Sequence, residues 1–455
     1  MLAFRPDRAR VAREVGATVR LALPLIAAQL AAVGPNFVDA VLAGHLNAHV
    51  QAAVTTAVSI WALALVAGLG MMMAVPPSVA QLDGAGRRHE VGAVFVQALW
   101  LAWFMGVVMW FLVRNATPML DWIGVVPTLR TDVMHFLHAI SWAAPALTSY
   151  FALRGLSEGL SMTRPSMYFS IGGLLLLAPL GYVLMYGKFG LPALGSLGSG
   201  IATATVLWLE MLGFAWFVAK HPAYRDLGLR EGLAWPRPKI LLDLLKIGGP
   251  MSVTLLAEGG LFVAVALVIA TLGETVVASH QVALNVATIA FMVPLGLSMA
   301  ITVRVGNAVG RGDATGVRYA GLCGIGLALC VQVVSSSVML SLPHVLARLY
   351  THDEAVIALA AQLMLLAGLF QFSDGIQVTS NGALRGLKDT RVPMVITLFA
   401  YWVVGMPVGW WLAFRHGLGA RGMWMGLIAG LTMAAILLFI RFCRSAARER
   451  WRQPA

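Results

Sequence analysis

The chain has 455 residues, of which 59% are hydrophobic and only 11% charged, with a mean hydropathy of +0.81 and a formal net charge of +12. Ordinary soluble domains carry roughly 25% charged residues, so this composition excludes a water-soluble fold. Long unbroken apolar runs, with no ten-residue strand alternation of the kind a membrane barrel needs, leave an all-α integral membrane protein.

In chain order, twelve transmembrane helices are expected at 17–43, 51–80, 91–113, 132–153, 165–187, 196–219, 240–270, 277–303, 315–341, 355–383, 392–414 and 422–440. The first stretch is too long for a signal-peptide core and runs through Asp39 into the next span, so no cleaved leader is expected. Between the sixth and seventh spans lies a polar, Pro-containing segment, KHPAYRDLGLREGLAWPRPK. It reads as a cytoplasmic linker at 220–239 between an N-terminal lobe, 1–219, and a C-terminal lobe, 240–455. Trp122, Trp410, Trp411 and Trp424 fall near predicted outer ends, where indole favours the interface.

With the N-terminus inside, 26 of the 32 Lys and Arg fall on inner segments, Arg154 and Arg385 among them. Cytoplasmic loops retain such residues during insertion, so both termini are expected in the cytoplasm. The basic balance is thus topological, and no nucleic-acid partner is expected. Three cysteines make no disulfide framework. Cys323 and Cys330, seven positions apart on one helix and hence roughly 10 Å apart along it, read as packing residues.

The halves repeat. Ala152-Leu153-Arg154-Gly155-Leu156 recurs as Ala383-Leu384-Arg385-Gly386-Leu387, and Thr163-Arg164-Pro165 answers Thr390-Arg391-Val392-Pro393. Pro179-Leu180-Gly181 matches Pro407-Val408-Gly409, Gly84 and Gly86 match Gly310 and Gly312, and Pro24 matches Pro250. Each repeat holds an even number of spans, so the two six-helix bundles form a parallel internal repeat, an arrangement in which substrate usually binds between the repeats.

Charges within apolar helices are costly and usually face a cavity or a partner. Four acids qualify: Asp39, Glu210, Glu258 and Asp374. Asp39 shares a helical face with Gln29 and Asn36 but sits near the outer end, where plain solvation competes as an explanation. Glu258 lies deeper, between Leu255 and Phe262. Asp374 is flanked by Phe370, Gln371 and Gln377. With Gln281, Asn285 and Thr288 on the eighth span, these acids offer one oxygen-rich cavity, although amides and hydroxyls also serve as interhelical glue. Glu210 belongs either to an N-lobe site or to a structural hydrogen bond. Desolvated carboxylates exchange protons readily, and paired carboxylates with amide oxygens suit a hard cation such as sodium. Cation occupancy would then displace a cationic substrate, which is antiport. Phe262, Phe291, Met292 and Tyr401 would supply cation–π and adaptable apolar walls, or else simply pack.

Several of these stretches resemble the multidrug and toxin extrusion transporters, NorM-like branch. The similarity lies in Phe37-Val38-Asp39-Ala40-Val41-Leu42-Ala43-Gly44, in Ala278-Ser279-His280-Gln281-Val282-Ala283-Leu284-Asn285, and in Phe291-Met292-Val293-Pro294-Leu295. It continues through Ser373-Asp374-Gly375-Ile376-Gln377 into Leu384-Arg385-Gly386-Leu387-Lys388-Asp389-Thr390. The resemblance implies two six-helix lobes about a central cleft in a bacterial inner membrane, and export of cationic or amphipathic drugs and toxins against Na+ or H+. It implies Glu258 and Asp374 as cation-site acids, ligating Na+ if sodium couples, and Asp39 as the N-lobe acid. No cofactor beyond the coupling ion is implied, and a monomer is expected. Two departures stand out. Relatives commonly carry an asparagine pair about the fifth-span proline, where this chain has Leu177 and Gly181. Phe370 and Phe291 occupy places where some relatives have tyrosine. The alternative is a lipid-linked precursor flippase of a related superfamily, which a markedly cationic cavity would favour. An enzyme is not expected: the chain has no Asp-x-x-x-Asp cluster and no His-Glu-x-x-His, and His280 has no evident catalytic neighbour.

Overall fold

The computed structural model describes residues 7–229 and 235–448, and among them it is helical with no strand. The helices are α1 (Arg8–Leu46), α2 (Ala48–Met72), α3 (Val75–Gly84), α4 (Val91–Arg114), α5 (Thr117–Ile123), α6 (Pro127–Ser141), α7 (Ala144–Gly159), α8 (Arg164–Tyr186) and α9 (Gly195–Lys220). They continue as α10 (Pro238–Ala270), α11 (Glu274–Gly310), α12 (Ala314–Ser341), α13 (Pro343–Arg348), α14 (Glu354–Gly386), α15 (Arg391–Leu398), α16 (Met406–Phe414) and α17 (Ala420–Arg448).

Among the described residues, eleven helical stretches are long and apolar enough to cross a membrane. The span expected over 132–153 is not one of them. It is broken at Trp142–Ala143, directly before α7 begins at Ala144 with Pro145 in its first turn, and α6 carries Arg130, Asp132, His135 and His138. A proline lacks the N–H that continues a helix, so breaks gather there. The second span divides the same way, with Pro76 and Pro77 opening α3. The eleventh is interrupted by a π-helical segment, Phe399–Gly405, just before Pro407.

The chain folds as two compact units, one of residues 27–252 and one of residues up to 26 plus 253–455. The boundaries thus fall inside α1 and α10, whereas the sequence suggested lobes meeting at the 220–239 linker. Contacts explain the difference. The start of α1 is bound within the second unit by Arg10 to Asp313 at 2.8 Å and Arg304 to Glu14 at 2.7 Å, and Gly296 leaves room for Ile26. The start of α10 belongs to the first unit, where the Ser252 hydroxyl donates to the Ala67 carbonyl and the Gly248 backbone lies against Met71.

The linker is held to its unit where it is described; residues 230–234 lie outside the described residues. Tyr224 is buried and its hydroxyl pairs with Ser157 at 2.8 Å, while Arg88 donates to the Ala223 carbonyl and pairs with Asp226.

Three expectations about single residues change. Trp410 and Trp411 are half exposed, but Trp424 is fully buried and not at an interface. (The Trp122 side chain lies outside the described residues.) Arg154 and Arg385 are not loop charges: each is 6% exposed within a helix. The Arg154 guanidinium donates to Glu158 Oε1 and to Gln29 Oε1, both at 2.6 Å. That of Arg385 donates to the hydroxyls of Ser298 and Thr302 at 2.9 and 3.1 Å. Hydrogen bonds of this kind are what allow a buried charge to persist.

Candidate functional site: a carboxylate cavity in the second unit

Helix α10 carries Glu258, α14 carries Asp374, and both side chains line one cavity of about 220 Å³. The other walls are Phe262, Leu284, Ala287, Thr288, Phe291, Phe370 and Trp424. No Lys or Arg is among them. Asp374 is 3% exposed and interacts electrostatically with Glu258. Asp374 is buried and Glu258 half-buried; two carboxylates in one small, poorly solvated space repel each other, so such a site gains stability from any cation it admits.

Of the residues expected here from sequence, Glu258, Asp374, Thr288, Phe291 and Phe370 meet at the cavity, together with Phe262. Gln371 stands behind the wall, donating to the Ala287 carbonyl at 3.4 Å, and its own carbonyl accepts from Gln332. Gln377 is buried with its side-chain oxygen unpartnered among the described residues. Gln281 and Asn285 bond each other at 3.3 Å, and Met292 is half-buried; none of the three lines the cavity. Tyr401 is not a wall either. It is fully buried, its hydroxyl has no hydrogen-bond partner among the described residues, and both carboxylates act on it electrostatically. Its neighbour Trp402 donates to the carbonyl of Ala257, the residue before Glu258, at 3.2 Å. The π-helical segment is thereby anchored beside the acid.

Sequence reasoning missed Trp424, because a span boundary at 422 put it at the membrane surface. Helix α17 starts at Ala420, so the residue is a full turn inside. It also missed Glu158. The available signal was the Arg154–Glu158 spacing of four, which pairs opposite charges on one helical face.

The first unit holds the other two acids. Asp39 is 4% exposed and accepts from the Ser199 hydroxyl at 2.6 Å, so it is buried rather than solvated. Gln29, on the same helix, is instead engaged by Arg154, and Asn36 is exposed. Glu210 of α9 lies tight against Gly173 of α8, where a Cβ would collide with its carboxylate, and Arg154 acts on it electrostatically. Among the described residues, no group of three or more His, Cys, Asp or Glu is placed to hold a metal ion.

A multi-pass helical protein with two carboxylates lining a small internal cavity has the architecture of a membrane transporter. The family model MatE matches residues 24–183 and again 250–411, so the chain belongs to the multidrug and toxin extrusion family. The two matched segments start 226 residues apart, which agrees with the repeat seen in sequence. The chain is 46% identical over 439 residues, covering 96% of each protein, to a probable multidrug resistance protein NorM of Xanthomonas campestris pv. campestris. It is 43% identical to the multidrug resistance protein PmpM of Pseudomonas aeruginosa, over 96% of this chain and 93% of that one. Among solved structures, an outward-facing multidrug resistance MATE transporter of the MOP superfamily superposes with a TM-score of 0.88 at 20% identity, over 96% of each chain. A MOP superfamily transporter from Pyrococcus furiosus, described as having reverse polarity of the binding pocket, gives 0.86 at 21%, over 99% of this chain and all of that one. These likenesses establish the fold.

Proposed function

We propose that the chain is a multidrug efflux antiporter of a bacterial inner membrane, exporting cationic or amphipathic small molecules in exchange for Na+ or H+ by alternating access. Glu258 and Asp374 are its coupling pair, and Asp39 is an N-lobe acid that tunes substrate handling. The single observation that carries this reading is the cavity in which two carboxylates share aromatic walls with no basic residue. A cation that neutralises the pair removes its attraction for a cationic substrate, and the reverse, so each ligand weakens the other. The same polarity disfavours a phosphate-bearing lipid-linked substrate. The relatives named as multidrug resistance proteins support the substrate class.

The test is uptake of ethidium into inside-out vesicles with sodium and pH gradients imposed separately. Glu258→Gln and Asp374→Asn are each expected to lose gradient-driven transport at normal abundance, since the isosteres keep volume and some hydrogen bonding. Asp39→Asn is expected to change apparent substrate affinity while keeping cation dependence, because Leu177 and Gly181 supply no amide oxygens around the fifth-span proline. Full cation-driven transport by either C-lobe variant sinks the assignment of that residue. Loss of cation dependence in Asp39→Asn alone moves coupling to the other unit.

A further inference from the structure

Helix α4 is an apolar span of 24 residues that ends on Arg114. At helical rise it is about 36 Å long, against roughly 30 Å of hydrocarbon, so Arg114 falls at headgroup depth. Phe111 and Leu112, just before it, are exposed, and in a membrane they meet lipid. The half-buried Arg114 guanidinium lies over the rings of Trp110 and Trp142, 5.5 and 5.8 Å from their centroids, and the two rings are 5.5 Å apart. Trp142 occupies the break between α6 and α7, where its carbonyl accepts from the Trp208 indole N–H of α9 at 3.0 Å. Its own side chain is 58% exposed, open to a ligand.

The end of α4 does not call on this guanidinium. The Asn115 backbone and side-chain amides both donate to the Phe111 carbonyl, and the Nε2–H of His138 donates to the Arg114 carbonyl at 3.2 Å. The two acids that follow in sequence are engaged elsewhere, Asp121 with Arg130 and Asp132 with His49. Among the described residues, the Arg114 guanidinium and the Trp142 indole N–H donate to no acceptor.

We propose that Arg114, held between Trp110 and Trp142, binds the phosphate of an anionic phospholipid at the surface of the first unit. A guanidinium presents paired N–H donors that match two phosphate oxygens, and stacking on indole leaves that planar edge available. Basic pockets between membrane helices take lipid headgroups for this reason. The Trp142 N–H adds a donor at the depth where indoles commonly sit. A net-negative headgroup is favoured over ethanolamine, because an ammonium group would meet the stacked guanidinium while Asp121 and Asp132 are already paired. Phe111 and Leu112 offer the acyl chains an apolar surface. A snorkelling arginine that only marks the membrane boundary would show no preference among headgroups.

The full-length protein in detergent is titrated by native mass spectrometry with phosphatidylglycerol and with phosphatidylethanolamine. The first phosphatidylglycerol is expected to bind about tenfold more tightly than the first phosphatidylethanolamine, the scale of one charge-assisted hydrogen bond. Arg114→Gln is expected to erase that preference, and Arg114→Lys to keep only part of it, since an ammonium lacks the planar fork. Trp142→Ala removes a stacking ring and is expected to weaken phosphatidylglycerol severalfold while leaving phosphatidylethanolamine unchanged. Arg415→Gln, which removes an exposed charge just after α16, is the control and should leave the preference intact. Size-exclusion profiles check folding; should Arg114→Gln not fold, Arg114→Lys and Trp142→Ala carry the test. Equal affinity for the two lipids in the unaltered protein, an unchanged preference in the folded Arg114 and Trp142 variants, or an equal loss in Arg415→Gln each overturns the site. Displacement of phosphatidylglycerol by glycerophosphate at a comparable concentration overturns the lipid as its ligand, since the phosphate alone would then suffice.

Discussion

Single buried residues decide where this chain keeps its charges. Glu258 and Asp374 were legible from sequence because an acid within an apolar run has few inexpensive explanations. Asp39 was ambiguous, since depth along a helix does not reveal burial; the Ser199 hydroxyl comes from residue 199, far along the chain. Arg154 was misread because its basic side chain fits a topology count as well as it fits a buried pair. Its salt bridge to Glu158 has side-chain exposures of 7% and 2%. Removing one member of a buried pair leaves the other charge insufficiently neutralised, at a cost of about 3–5 kcal/mol. Glu158→Ala is therefore expected to lower the thermal midpoint in detergent and the membrane abundance sharply, with Glu158→Gln milder because an amide oxygen still accepts from the guanidinium. Thermal stability of Glu158→Ala equal to that of the parent would show that Arg154 does not depend on this carboxylate.

At the scale of helices, periodicity and hydropathy located the spans but not their breaks. The lengths of α6 and α7, the division of α2 from α3 and the π-helical turn all depend on how proline-interrupted backbone groups are satisfied by neighbours, which no local window contains. The π-helical turn matters most, since it brings Tyr401 and Trp402 beside the cavity acids Glu258 and Asp374. Its far side is closed by glycines. A Cβ on Gly426 would overlap the backbone of Gly409 and come 2.6 Å from the Gly405 carbonyl oxygen, and one on Gly430 would approach the Ala400 carbonyl oxygen at 2.9 Å. Close packing through small residues is the usual means of helix association in lipid. Gly426→Ala is expected to push α17 off α16 and the π turn, cutting thermal stability by several degrees. Because Trp424 is two residues away, it should also reduce substrate affinity. Gly326→Ala, where a Cβ meets nothing within 4 Å, is the matched control; similar behaviour of the two variants would show that backbone contact at Gly426 is not limiting.

For the whole molecule, the repeat and the charge asymmetry were both readable, because duplication leaves matched motifs in register and insertion leaves a bias in Lys and Arg. The division into units was not readable. It depends on ion pairs such as Arg304 with Glu14 that join positions 290 residues apart, and a helix continuous in sequence gives no sign that its two ends belong to different cores. The expected orientation rests on the charge count, since short loops rich in Lys and Arg resist translocation. In sequence, the stretches 85–90 and 220–239 hold Arg87, Arg88, Lys220, Arg225, Arg230, Arg237 and Lys239, whereas the turn between α1 and α2 has no Lys or Arg. In a variant lacking Cys323, Cys330 and Cys443, a cysteine at Ala48, exposed at the start of α2, is expected to react with an impermeant maleimide on intact cells. A cysteine at Lys239, exposed at the start of α10, is expected to react only after the membrane is opened. Both sites avoid the Asn47 side chain, whose bond to the Val50 N–H caps α2, so neither change should disturb folding. Labelling at Lys239 from outside, with Ala48 protected, would invert the orientation and place the linker and both termini outside the cell.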